Sequence, residues 1–267
     1  MLALRDFLNN ITLNLPCFPF MVAKKTELNL INELIKKISP VDSGRKMIRL
    51  GPDKDGGYII PDDLEGITAC FSPGVADEAG FELDCTKRGM TVYMADASVE
   101  APPIENNKFS FIKKFLGAVS KDNQITLDSW VLDQTKKVSN DLILQIDIEG
   151  AEYEVFINAS EELLSRFRII VVEFHNLDYL FDSTFYRVAR AAFDSILKHH
   201  SCVHIHPNNT AGVITSSGLS IPKTMEFTFY RNDRMPSVIS PALIPNPLDI
   251  DCDPNKPTIK IPVCWNK

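Results

Sequence analysis

Through the middle of the chain, short apolar runs alternate with stretches in which apolar residues recur every three or four positions. This pattern predicts buried strands alternating with amphipathic helices, the arrangement of an α/β sheet. Runs at 67–71, 91–95, 109–115, 142–146 and 168–175 read as five parallel strands. Between them, helices are predicted over 78–88, closed by Gly89, and over 125–135, and a further helix follows Gly150 with Val155, Phe156, Ala159, Leu163 and Leu164 on one face. The clearest helix carries Phe185, Val188, Ala189, Ala192, Phe193, Ile196 and Leu197 behind a cap at Asp182 or Ser183. Strands at 202–206 and 225–230 are separated by a loop with Gly212 and Gly218 and no helical pattern, so they are expected to pair antiparallel as a long hairpin. A leading helix is predicted over 23–38. From Met235 the prolines (Pro236, Pro241, Pro245, Pro247, Pro254, Pro257, Pro262) forbid regular helix and favour an extended tail. The expected organisation is a helical lead at 1–44, one domain at 45–234 and a tail at 235–267 packed on it.

Composition narrows the picture. The chain has 267 residues with 28 basic against 35 acidic, a net charge of -7, and no Lys/Arg stripe, which argues against a nucleic-acid partner. Six scattered cysteines without a C-x-x-C pair read as reduced thiols of a cytoplasmic protein. Residues 1–21 are apolar but interrupted by Arg5, Asp6 and two prolines, so neither a membrane span nor a signal peptide is expected there.

Candidate chemistry gathers where strands end. Asp147 and Glu149 follow the fourth strand and should sit at the mouth of a site, although an acid at a helix start can equally serve as a cap for the helix beginning at Gly150. Asp55-Gly56-Gly57-Tyr58 allows either close backbone approach to a ligand or an ordinary hairpin turn. Glu173 and His175 close the fifth strand, and His204, His206, Asn208 and Asn209 the sixth.

The run Gln145-Ile146-Asp147-Ile148-Glu149-Gly150-Ala151-Glu152-Tyr153-Glu154 resembles the signature of the FkbM family of O-methyltransferases. The resemblance extends to Asp55-Gly56-Gly57-Tyr58, Glu173-Phe174-His175, His204-x-His206-Pro207-Asn208-Asn209 and Glu226-Phe227-Thr228-Phe229, over about residues 45–255. It implies a Rossmann-like class I methyltransferase fold, a seven-stranded mostly parallel sheet of order 3-2-1-4-5-7-6 with an antiparallel final strand, and S-adenosylmethionine as cofactor. Gly74 is placed for the turn after the first strand, and Asp96, 22 positions on, for the ribose hydroxyls. Ser72-Pro73-Gly74-Val75-Ala76-Asp77 lacks the multi-glycine fingerprint of a dinucleotide site, which counts against NAD. The resemblance further implies Val75, Asp77, Ala97, Ala118 and Val119 around the adenosine, with Asp147, Asp55, Gly57 and Tyr58 near the methionine end.

For methyl transfer the catalytic candidates are His175, Glu173 and Glu149, with His204, His206, Asn208 and Asn209 facing a small-molecule or glycan hydroxyl. Asp147, Glu173 and His175 are also chemically suited to a divalent cation, Mg, Mn or Zn. Two other functions use the same residues: a metal-dependent hydrolase on an α/β scaffold, and a non-catalytic module that binds a nucleotide-sugar.

Overall fold

Asp141–Ile146 and Phe167–Phe174 are apolar on both faces, so they can only be central strands covered on both sides. In the computed structural model, which describes residues 23–135 and 140–265, they are β8 and β9 of a seven-stranded sheet. The expectations for residues 1–21, with Cys17, lie outside the described residues. Adjoining β8 are β3 (Ile67–Pro73), then β4 (Thr91–Ala95) and β5 (Phe109–Ile112), all parallel. Beyond β9 comes β13 (Met225–Arg231), antiparallel to both β9 and the edge strand β10 (His200–Pro207). The mostly parallel sheet is compatible with a Rossmann-like fold.

Alternation along β8 sends Leu142, Leu144 and Ile146 to one core and Ile143 to the other. The first core is closed by α1 (Leu28–Lys37), α3 (Leu127–Thr135), α4 (Glu152–Asn158) and α6 (Ser183–Leu197). Asp182 accepts from Thr184 N and Phe185 N to start α6. The second core is covered by α2 (Gly80–Lys87) and by a hairpin of β1 (Met47–Leu50) and β2 (Tyr58–Pro61). From the lead, Ile31, Leu34, Ile35 and Ile38, and from the tail, Ile244 and Trp265, join the first core.

Two elements differ from the expectation. The third strand stops at Ile112, where Lys113 turns outward to Glu100; the chain then pairs Phe115–Leu116 (β6) with Gln124–Ile125 (β7). Between β10 and β13 the supposed loop holds a second hairpin, β11 (Val213–Ser216) and β12 (Leu219–Pro222). Ser217 and Gly218 both have positive φ at its turn, the geometry that two-residue hairpin turns demand.

At the edge where β3 and β8 begin, Arg168 donates to the backbone oxygens of Asp63 and Glu65 at 2.8 and 2.7 Å and to Asp141 at 2.7 Å. Arg231 also binds Asp141, and Arg234 binds Asp63. Burial works against charge on Asp63, but Arg234, Tyr230 and Arg168 hold its pKa down at about 2. Arg168→Ala is expected to cost about 3 kcal/mol or more in urea unfolding, because it strands buried acids and carbonyls. With its folded-state pKa depressed, Asp63 contributes full stability above pH ~4, and that contribution disappears as pH falls through about 2. The gap between wild type and variant should therefore narrow over that interval.

Candidate active site

The ends of β4, β3 and β8 are joined backbone to backbone. Gly74 N donates to Ala95 O at 3.1 Å, and Asp147 N to Pro73 O at 3.3 Å. Gly74 has φ +86°, and a Cβ there would lie 1.5 Å from Asp147 O. The glycine is thus required by a neighbouring strand's backbone, before any ligand enters the argument.

After Asp147 the chain takes two positive φ angles, 57° at Glu149 and 107° at Gly150. Glu152 compensates: fully buried, its Oε1 accepts from Ile148 N at 3.1 Å and Gly150 N at 3.0 Å and lies 3.1 Å from His175 Nδ1. The helix therefore starts at Glu152, and the cap is supplied from inside it. Glu149 caps nothing. Its side chain is 88% exposed, yet its Oε2 stands 3.5 Å from His175 Nε2.

His175 follows β9, and its carbonyl accepts from Tyr153 OH at 2.6 Å. Around its Nε2 stand Glu149 at 3.5 Å, Glu173 at 3.5 Å and Asp147 at 3.8 Å. Burial pushes the imidazole pKa down, but Glu152, Asp147 and Glu149 outweigh it and raise it. Burial lifts Asp147 to about 7 against the pull of His175, and lifts Glu173 well above the carboxylate range with help from Asp147 and Glu226. Asp147 Oδ1, Glu173 Oε2 and Glu152 Oε2 are buried without a hydrogen-bond partner. Asp147, Glu149 and His175 bring ligand atoms within 4.8 Å of one another, so this trio could hold a metal; Glu173, expected as a ligand in place of Glu149, stands beside it.

On the other side of Asp147 opens a cavity of about 240 Å³. Of the residues expected at a cofactor, Asp55, Tyr58, Gly74, Val75, Asp77 and Asp147 line it. Gly57, Asp96, Ala97, Ala118 and Val119 are not among its lining residues. Gly57 is fixed by its own loop, since a Cβ would lie 2.1 Å from Pro52 O and 2.5 Å from Arg49 Nη2. Val119 is exposed. Asp96 ends β4 as expected and accepts from Ala76 N at 3.1 Å and from Ser98 N and Oγ at 2.7 and 2.6 Å. These bonds, with one from the Val75 backbone, outweigh burial and keep its pKa below the usual value.

Among the cavity-lining residues with no place in the expected site are two buried polar groups, Gln145 and Glu82. Ser72 Oγ contacts both Glu82 Oε1 and Gln145 Oε1, and Gln145 Nε2 donates to Tyr58 OH at 3.2 Å. One hydroxyl has one proton, so both contacts are satisfied when Glu82 is protonated and donates to Ser72. Burial raises Glu82 to about 7, against its bond to Ser72, which favours that state. The polar Gln145 inside an apolar strand was the available signal, since a buried amide needs partners.

The sixth-strand residues serve the tail. His204 Nε2 pairs with Asp249 at 2.8 Å, His206 Nδ1 lies 3.8 Å from the same carboxylate, and both rings are buried. Asn209 donates to Asp253 O and Lys256 O. Asn208 donates to Glu173 Oε1 at 2.9 Å and so steadies the cluster. Among the described residues no helix is long and apolar enough to cross a membrane.

Residues 83–200 match the family model of the methyltransferase FkbM domain. The matched span holds Asp96, Asp147, Glu149, Glu152, Glu173 and His175; it leaves out Asp55 to Tyr58 and Gly74. None of the curated proteins matches the chain.

Gly74→Ala should destabilise the protein by more than the ~1 kcal/mol of an ordinary glycine replacement, because the methyl cannot be placed without separating β3 from β8. Thermal unfolding checks this; an unchanged midpoint would show that the strand ends are not in contact.

Proposed function

We propose, from the premise that the chain is an FkbM-family methyltransferase, that it transfers the methyl group of S-adenosylmethionine to a hydroxyl of a small molecule or glycan. A methyltransferase family implies that cofactor, and the residues present suit it. The observation that carries the reading is the position of Asp147, which lines the cavity with Gly74 and Tyr58 on one side and faces Glu149, Glu173 and His175 on the other. A methyl donor and an oxygen acceptor need adjoining compartments of this kind.

In this reading the methionine end of the cofactor occupies the cavity between Asp55, Tyr58 and Gly74. Asp96 accepts from the ribose, and the adenine extends toward Ala97, Ala118 and Val119. The sulfonium supplies the electrophile. The protein aligns the acceptor oxygen, takes up its proton and keeps water away. The cluster of Asp147, Glu149, Glu173 and His175 would hold the acceptor hydroxyl and take up its proton. Tyr58, buried and raised well above its ordinary pKa by burial and by Asp147, stays protonated as part of the wall.

Calorimetry with S-adenosylhomocysteine tests the cofactor assignment, and transfer of labelled methyl groups to a panel of hydroxylated acceptors tests the reaction. Binding without transfer to any acceptor would favour a non-catalytic module, and no binding would remove the reading. Asp96→Asn is expected to weaken S-adenosylhomocysteine by about tenfold, some 1.4 kcal/mol, through loss of a charged acceptor. Asparagine is preferable to alanine here because it keeps one oxygen for Ser98 N and Oγ, where alanine would keep none. Unchanged affinity would place the ribose elsewhere.

A further inference from the structure

Taking up a proton in methyl transfer gives the cluster about His175 Nε2 a role but does not account for its unsatisfied buried oxygen. Three carboxylates surround that nitrogen at 3.5, 3.5 and 3.8 Å, all beyond a good hydrogen bond. The Asp147 oxygen that faces it, Oδ1, is buried and has no partner. Glu173, only 3% exposed, leaves its own Oε2 without one. Buried polar atoms in native proteins are nearly always satisfied, so the partnerless Asp147 Oδ1 facing His175 Nε2 indicates a missing ligand; Glu173 faces the ring with its other oxygen, Oε1, which Asn208 already engages.

The far side of the ring identifies its kind. Glu152 engages Nδ1 and, holding two backbone N–H groups with the same oxygen, cannot easily move away. In the neutral ring, with the Nδ1 proton directed at Glu152, the Nε2 lone pair faces the carboxylates. A carboxylate behind the imidazole and free electron pairs in front of it is how proteins orient histidine toward a metal. The front atoms are two carboxylate oxygens and one imidazole nitrogen, a mixed set that suits Mn²⁺ or Zn²⁺ better than the oxygen-preferring Mg²⁺. Glu149, exposed and held at positive φ, leaves one flank open to solvent, where water or an acceptor oxygen can complete the coordination.

We propose that Asp147, Glu149 and His175 Nε2 form a divalent-cation site, with Glu152 as the residue that positions the histidine and Glu173 as the buried acid beside it. The site's purpose, to present the acceptor oxygen, rests on the methyltransferase reading; its existence does not. Relative to the set expected from the sequence, Glu149 takes the coordinating position of Glu173.

The test is calorimetric titration of Mn²⁺ into the full-length protein after chelator treatment, with S-adenosylhomocysteine titrated separately into the same preparation. One Mn²⁺ per chain is expected. Glu149→Gln, a substitution on an exposed side chain, should weaken Mn²⁺ by tenfold or more with an unchanged melting temperature, and Glu152→Gln should weaken it by about tenfold or more through the histidine and the 148–150 loop that it holds. Nitrogen superhyperfine coupling in pulsed electron resonance of the bound Mn²⁺ should vanish in His175→Asn. Absence of binding up to millimolar Mn²⁺, or binding that Glu149→Gln and His175→Asn leave unaltered, would overturn the site. S-adenosylhomocysteine binding without Mn²⁺ binding would sink the cation site and spare the methyltransferase reading. Mn²⁺ binding without S-adenosylhomocysteine binding would do the reverse.

Discussion

The contact between Gly74 and the carbonyl of Asp147 determines everything above it. Two parallel strands normally diverge into their loops, but here the backbone of β3 meets that of β8 at a distance no side chain would permit. As a result the two loops leave in opposite directions from a shared point. One loop, through Val75 and Asp77, opens the cavity; the other, through Glu149 and Gly150, turns back toward His175. Asp147 belongs to both because it is the point of contact.

That geometry imposes a cost that a single side chain offsets. Residues 148–150 take backbone angles that a helix start would not choose, and they leave N–H groups without helical partners. Glu152 satisfies two of these and reaches His175 from within the core. The loop's shape and the ring's orientation are therefore set by the same oxygen. A change to either is transmitted to the other, and the spacing of Asp147, Glu149 and His175 depends on both.

What the sequence disclosed follows from the range of the interactions involved. Strand and helix identities rest on periodicity, a local property, and Leu142–Ile146 and Phe185–Leu197 carried it clearly. The FkbM resemblance brought Asp147, Glu173 and His175 to one place, and the structure does bring them together. Less legible were roles that depend on partners distant in the chain. Glu152 looks like any acid in a first helical turn until His175 is set against it. His204, His206 and Asn209 give no sign in the sequence of their partners Asp249 and Asp253 far along the chain, and His206 Nε2 is buried without one. Gly74 meets a second requirement, the carbonyl of Asp147, which a bare sequence cannot distinguish from a ligand's approach.

Charge is divided between the two ends of the sheet in a way that stability alone would not select. At the end where β3 and β8 begin, Asp63 and Asp141 are fully compensated by Arg168, Arg231 and Arg234. At the other end Asp147, Glu173 and Glu226 lie side by side with their pKa values raised by burial, and the cationic groups near them are His175, His206 and Arg49. A chain that can place three arginines on two aspartates at one edge has the means to neutralise the other edge too. Leaving it acidic keeps oxygens with open electron pairs beside a cavity, which is a cost in folding and an asset in binding anything that brings protons or positive charge. The methyl donor's sulfonium and a divalent cation both have the charge that this edge lacks.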